Sequence, residues 1–302
     1  MLKRFRKHFK LRNEATSVDL SNNELSNEAR VALDDANNCF RVLILGPANA
    51  GKTTLLERLT ESPAGAAVVT QNGQRIKDVT GGYNPRGIPS IDDEITYPAN
   101  PALVFHESVG FEAGGAKEVE TIWQFIRKRS LASPPQQLHA IWLCIPVDND
   151  RPVAALLSDF FSEPTASVPI VAIFTKLDGR RTKVEIEVLG PAPSPSDFLL
   201  RALEVDQKVA QFVDALERQF RNQLFPPAGF LRVANMDEDT EQSIALCTQL
   251  LQTTADALPY GMQHSLLNLI IWKRHHQHHT RLPPSHLSSV PHFSKKQQGN
   301  EK

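Results

Sequence analysis

Residues Cys39–Thr54 read CFRVLILGPANAGKTT, and this stretch decides the fold. FRVLILG is a short apolar run with β-branched residues that ends at a glycine, the pattern of a buried parallel strand. Lys52–Glu61 follows with helix formers and no breaker until SPAG. Between them Gly46–Thr53 fits G-x-x-x-x-G-K-[ST] at every fixed position, in the strand-to-helix setting the pattern requires. The spacing has a physical cause. Successive N–H groups from Asn49, Ala50, Gly51, Lys52, Thr53 and Thr54 must curl around phosphate oxygens, and Gly46 and Gly51 permit that path. The positive end of the helix beginning near Lys52 then faces the anion. In this reading Lys52 reaches the β- and γ-phosphates and the Thr53 hydroxyl ligates Mg²⁺. The loop selects a nucleoside triphosphate and is silent about its base.

Outward from this loop, strand and helix patterns alternate. DEITYPA and ALVFHES read as two strands separated by Asn-Pro. AKEVETIWQFIRKRS places Val119, Ile122, Trp123 and Ile126 at helical spacing, with Trp123 and Trp142 as core residues. LHAIWLCIP reads as a strand, RPVAALLSDFF as a helix and VPIVAIFTK as a strongly apolar strand. A Pro/Ser-rich linker around Pro191–Ser196 leads into a long helix, where Val209, Phe212, Val213, Leu216 and Phe220 share one face. GFLRVAN is the last strand. DTEQSIALCTQLLQTTADAL is the last helix, capped by Asp239 or Thr240. The region after SPAG, including TGGYNPRGIPS, reads as loop. The expected fold class is α/β, a three-layer α/β/α arrangement around a mostly parallel sheet. Residues 1–38 read as a polar and basic arm, 39–258 as the folded domain, and 259–302 as a C-terminal helix with a disordered tail.

Composition limits the function classes. The chain of 302 residues has a formal net charge of -1, with 41% hydrophobic and 22% charged residues. That balance offers no electrostatic case for nucleic acid. Cys39, Cys144 and Cys247 are far apart, which fits buried thiols in a reducing compartment rather than disulfides or zinc. No apolar run approaches the ~20 residues needed to span a bilayer. The N-terminus lacks a secretory pattern, so the expected location is cytoplasmic. Leu2, Phe5 and Phe9 share a helical face flanked by Lys3, Arg4, Arg6, Lys7 and Lys10. Such a helix makes at most weak peripheral contact with anionic lipid, and a solvated or partner-docked end is the favoured reading. His275–His279, HHQHH, lacks carboxylate or cysteine partners nearby and reads as a basic patch. His106 reads as a packed histidine at a strand end.

The base is addressed by Thr175-Lys176-Leu177-Asp178, which follows the strand VPIVAIF and so lies at the carboxyl end of the sheet, where ligands bind. A carboxylate there accepts hydrogen bonds from the N1–H and N2–H₂ edge of guanine. Adenine lacks these donors and would leave the acid unpaired. Lys176 lays its aliphatic stem over the purine and hydrogen-bonds toward the phosphate loop.

At this point the sequence resembles the GTPase superfamily of translation-factor and Ras-like proteins. More narrowly it resembles fungal G-domain proteins, through GPANAGKTT, RGIPSIDDEI…NPALVFHESVGFEAGG, LHAIWLCIP and VPIVAIFTKLD, in that order. The resemblance covers about Phe40 to Asp178; from Arg180 to Leu258 only the alternation of elements carries it. It implies a Ras-like sheet of the P-loop NTPase type, binding of GTP and GDP with Mg²⁺, and hydrolysis of GTP to GDP in a molecular switch. It places the third box, Asp-x-x-Gly, on Glu107-Ser108-Val109-Gly110, where Gly110 gives its N–H to the γ-phosphate. Glu107 stands where the family has the aspartate that holds a Mg²⁺-bound water. Phe111 stands where Ras-like enzymes have the glutamine that orients water, with Glu112 beside it. Pro89 stands where family members have histidine. Thr80, Ser90 and Thr96 all remain candidates for the first-switch threonine, and Arg86 reads as a surface arginine before it reads as a finger. The fifth box falls near Val233–Met236, with Ala234 offering its N–H to guanine O6. The expected consequence is slow hydrolysis that a protein activator or a homodimer completes. A hydrolysis-deficient scaffold is the alternative, and an ATPase or nucleotide kinase is disfavoured by TKLD.

Overall fold

The computed structural model describes residues 39–71, 74–75, 90–108, 116–133, 136–149, 160–189, 195–260, 262–263 and 266. All of them fall in one compact unit, Cys39–Lys302. The arm 1–38, the segment 151–159 of the expected helix, the His275–His279 run and the tail lie outside the described residues.

The central strands form where the sequence is continuously apolar. β1 (Phe40–Leu45) is buried at all six positions. β6 (Ala140–Pro146) and β7 (Ile170–Thr175) are buried throughout. A strand covered on both faces has no place for polar alternation, so such runs build a parallel sheet under helices. The others are β2 (Val68–Gln71), β3 (Gln74–Arg75), β4 (Glu94–Tyr97), β5 (Asn100–Glu107) and β8 (Gly229–Arg232). The eight-stranded sheet runs in the order β3-β2-β4-β5-β1-β6-β7-β8. β5, β1, β6, β7 and β8 are parallel, and β3, β2 and β4 add to one side in antiparallel pairs.

Helices are α1 (Lys52–Thr60), α2 (Ala116–Ser130), α3 (Leu177–Leu189), α4 (Pro195–Arg221) and α5 (Glu241–Ala257). Strand alternation splits the core in two. Val42, Ile44, Trp142, Cys144 and Ile173 pack with Leu55 and Leu59 of α1 and Leu250 of α5. Leu43, Leu45, Ile141, Leu143 and Phe174 pack with Trp123 and Ile126 of α2 and Val213 and Phe220 of α4. Helices therefore cover both faces, and each such buried side chain contributes ~1.5–3 kcal/mol. The Trp142 indole N–H donates to Thr254 Oγ1 at 3.0 Å, which pins α5 to the sheet. Thr240 caps α5 in a reciprocal box with Ser243, settling the choice between Asp239 and Thr240.

Three local differences from expectation have physical causes. The β4–β5 turn is Pro98-Ala99, and Asn100-Pro101 belongs to β5. Proline presets φ for a turn at position 98, while Pro101 sits near the strand start, where its missing N–H costs little. Val68–Arg75 pairs as a hairpin rather than loop. Helix α3, absent from the periodicity, starts directly at Leu177. Trp123, Trp142 and His106 are buried as expected. All three cysteines are free, with Cys144 and Cys247 buried and Cys39 half-buried. Among the described residues no helix is long and apolar enough to cross a membrane.

Candidate functional site

β1 is the strand at which the chain reverses direction across the sheet: β5 lies on one side of it and β6 on the other. In an open parallel sheet the crevice outside the strands' carboxyl ends at such a reversal is where ligands bind. Loops following β1, β7, β8 and β6 meet there.

The first is the glycine loop. Gly46 has φ of 145° and Gly51 φ of 81°, conformations that L side chains adopt only with strain. A Cβ at Gly46 would also lie 2.5 Å from the Cys144 carbonyl oxygen, so the loop leaves β1 in direct contact with β6. Asn49 is left-handed as well, with φ of 61°. α1 starts immediately after Gly51, without a side-chain cap, so its first N–H groups stay available to an anion. The Lys52 ammonium donates to Gly46 O and Pro47 O, both at 2.8 Å. It also pairs with Glu107 Oε1 at 3.3 Å from the end of β5. Lys52 is only 8% exposed, which fixes a positive charge beneath the loop. Thr53 is exposed.

The second loop ends β7. Thr175 Oγ1 donates to Ala50 O at 2.8 Å and ties this strand to the glycine loop. Lys176 takes a left-handed φ of 60°, turning the chain from strand to helix within one residue. Asp178 falls in the first turn of α3, where the helix dipole favours a carboxylate. Its Oδ1 accepts from the Asn235 N–H at 3.0 Å and so holds the third loop, which follows β8. Arg58 of α1 holds the same loop from below. It donates to Met236 O at 3.2 Å and Asp237 O at 3.1 Å and pairs with Asp239 at 2.7 Å.

These loops enclose a cleft of about 370 Å³ lined at one end by Gly51, Thr54 and Leu55. The other end carries Thr175, Lys176, Asp178, Ala234 and Asn235, together with Asp148 and Asp237. Six residues singled out in the sequence line this one cleft: Gly51, Thr54, Thr175, Lys176, Asp178 and Ala234. Lys52 and Glu107 meet just below the glycine loop. Gly110, Phe111, Glu112, Arg86, Thr80 and Pro89 lie outside the described residues. Ser90 forms a turn with Asp93, Thr96 sits within β4, and neither lines this cleft.

Asp148 was not singled out in the sequence. It follows β6, and its Oδ2 accepts from the Lys176 ammonium at 3.2 Å, so that the ammonium meets Asp148 where a bond toward the phosphate loop was expected. The available signal was an acid two residues beyond an apolar strand, in PVDND.

The cleft is electrically polarised. A buried ammonium and a helix N-terminus lie at one end, and Asp148, Asp178 and Asp237 at the other, with Lys176 among them. It suits a ligand that is anionic at one end and rich in hydrogen-bond donors at the other. Among the described residues no cluster of three or more His, Cys, Asp or Glu could hold a metal. The exposed Thr53 hydroxyl and Glu107 are oxygen donors of the type Mg²⁺ takes, and its other ligands would be phosphate and water. Burial pushes the Cys144 thiol behind the loop up to about 12, which leaves it a neutral packing group.

No protein-family model matches the chain, and no curated protein matches it. Among solved structures, crystal structures of two SsGBP mutation variants are similar, each at 13% identity over 76% of this chain, with TM-scores of 0.37 and 0.36. The chain spans about three fifths of the length of those structures, 60% and 61%. A likeness this distant says nothing about the ligand.

Proposed function

We propose that this protein is a GTP-binding P-loop protein of Ras-like G-domain architecture, which binds GTP and GDP with Mg²⁺ and hydrolyses GTP slowly as a cytoplasmic switch. The observation that carries the reading is the single cleft that joins Gly51 and Thr54 to Asp178 and Ala234. Two features support it further: the reversal of strand order at β1 and the Thr175–Ala50 bond between the two sequence motifs.

In this reading the triphosphate lies over the N-terminus of α1, and Lys52 neutralises its β- and γ-oxygens. Thr53 and Glu107 would hold Mg²⁺, which supplies charge neutralisation on the phosphates. The guanine edge meets Asp178. A carboxylate oxygen accepts more than one hydrogen bond, so the Asn235 N–H does not exhaust it. Ala234 offers its N–H to the base oxygen. Binding without turnover is the second reading, and the Lys52–Glu107 pair favours it, because that carboxylate is already engaged with the ammonium.

Titration of the full chain with GTP, GDP and ATP in Mg²⁺ tests the proposal. Guanine nucleotides should bind on the order of a hundredfold or more tighter than ATP, because a site built to receive donors rejects a ligand that lacks them. Asp178→Asn should shift preference toward xanthine nucleotides. Preference for ATP would sink the assignment, and tight GTP binding without phosphate release would select the second reading.

A further inference from the structure

Asp148 is held by geometry that folding alone does not explain. Pro146 of β6 pairs with Thr175 of β7, and the Val147 N–H continues the ladder by donating to Thr175 O at 3.0 Å. This register places residue 148 beside the turn at Lys176. The left-handed backbone of Lys176 turns the chain away from the strand direction, and its ammonium meets Asp148 Oδ2 at 3.2 Å. On the far side Asp148 packs on Gly179 in the first turn of α3, where a Cβ would lie 3.0 Å from the Asp148 Cβ. The absence of a side chain at 179 is what lets the carboxylate approach. Its other oxygen, Oδ1, is buried with no hydrogen-bond partner among the described residues. A carboxylate kept only for stability would be expected to satisfy both oxygens. Among the described residues this one keeps a single side-chain bond, to a lysine in the wall of the cleft.

A lysine side chain carries about 2 kcal/mol of rotamer entropy, so an unanchored Lys176 would sample many positions over the cleft. We infer that Asp148 is a positioning residue: it anchors the Lys176 ammonium so that the aliphatic stem forms a fixed wall at the base end of the nucleotide cleft. The inference rests on the guanine-nucleotide reading above. Asp148 acts through Lys176 and before ligand arrives, so its contribution is preorganisation of the site.

The test is a double-mutant cycle on GDP affinity, with Asp148→Asn, Lys176→Ala and the pair made in the full chain. Asp148→Asn should weaken GDP about three- to tenfold, the range of one hydrogen bond. The same substitution should cost nothing further once Lys176 is alanine. The thermal midpoint of Asp148→Asn should match wild type, which a purely structural carboxylate would not allow. Lys176→Ala alone must reproduce the loss, which keeps the inference open to refutation even if the asparagine variant folds poorly. Equal losses in both lysine backgrounds overturn it, as does unchanged affinity in Asp148→Asn. Wild-type protein that binds no guanine nucleotide removes the parent reading and this inference together.

Discussion

Two clusters of charged and polar side chains are built into the same sheet in opposite ways. Around the cleft, loops carry left-handed backbones at Gly46, Asn49, Gly51, Lys176 and Asn235, and Asp148 keeps a buried oxygen without a partner among the described residues. The second cluster centres on Arg41 of β1, which is 4% exposed. Its guanidinium bonds Glu94 Oε1 at 2.8 Å and lies 3.2 Å from His106 Nε2. Its backbone N–H donates to His139 Nδ1 at 3.0 Å, and His106 Nδ1 lies 3.1 Å from Ile91 O. Here the valences are met inside the protein, with ordinary strands on all sides. An unpartnered buried oxygen and a run of left-handed backbones coincide at the cleft, whereas the Arg41 cluster closes on itself. Buried charge alone would not have told them apart.

The largest effect expected at the cleft comes from Lys52→Ala. Removing one member of a buried charged constellation costs about 2–5 kcal/mol, so GTP affinity measured by calorimetric titration should fall about a hundredfold. The thermal midpoint should fall as well, because Gly46 O, Pro47 O and Glu107 lose their shared cation, but affinity should fall further than stability. If stability collapses while affinity survives, Lys52 belongs with the Arg41 cluster and the contrast fails.

Acid should strike the other cluster. Burial holds both His106 and His139 down at about 4, with the nearby arginine charge acting in the same direction. Each imidazole is thus neutral in the fold, whereas the unfolded chain takes up a proton as pH falls through ~6.5. Stability from these groups is fully present above pH ~6.5, declines as pH falls toward the folded value, and levels off below it. The shift amounts to roughly 3 kcal/mol per imidazole at most. Denaturant midpoints between pH 7 and pH 4.5 should show this decline, and replacing both histidines with glutamine should flatten it.

A smaller effect is expected at Arg58, which belongs to both kinds of region because it ties α1 to the loop after β8. Arg58→Ala should cost about 1 kcal/mol of stability. It should also weaken GDP about threefold, chiefly through faster dissociation. An unchanged off-rate would show that the loop is held by Asp178 alone.

What was legible in sequence follows the same division. Gly46–Thr53 and Thr175–Asp178 could be read because each packs its chemistry into a few adjacent letters. β1, β6 and β7 could be read because burial on both faces leaves a continuous apolar run. Helix α3 escaped because, among its described residues, only Val184 is buried, so its amphipathic pattern is faint. The β2–β3 hairpin escaped although Asn72-Gly73, a strong turn dipeptide, stands between its strands. Asp148 carried only a faint signal, an acid just beyond an apolar strand. Its partner is 28 residues away, and only the β6–β7 register brings the two together.

The lengths of the strands carry one more consequence. The sheet is longest at its centre, where β5 has eight residues and β6 seven, and it ends in β3 with two and β8 with four. Among the described residues, a second chain that tried to extend the ladder at either margin would find two to four residues of backbone to pair with. Short margins of this kind are how open sheets resist fibril growth by strand addition. The same taper that concentrates hydrogen bonding beneath the cleft leaves little described edge for strand addition.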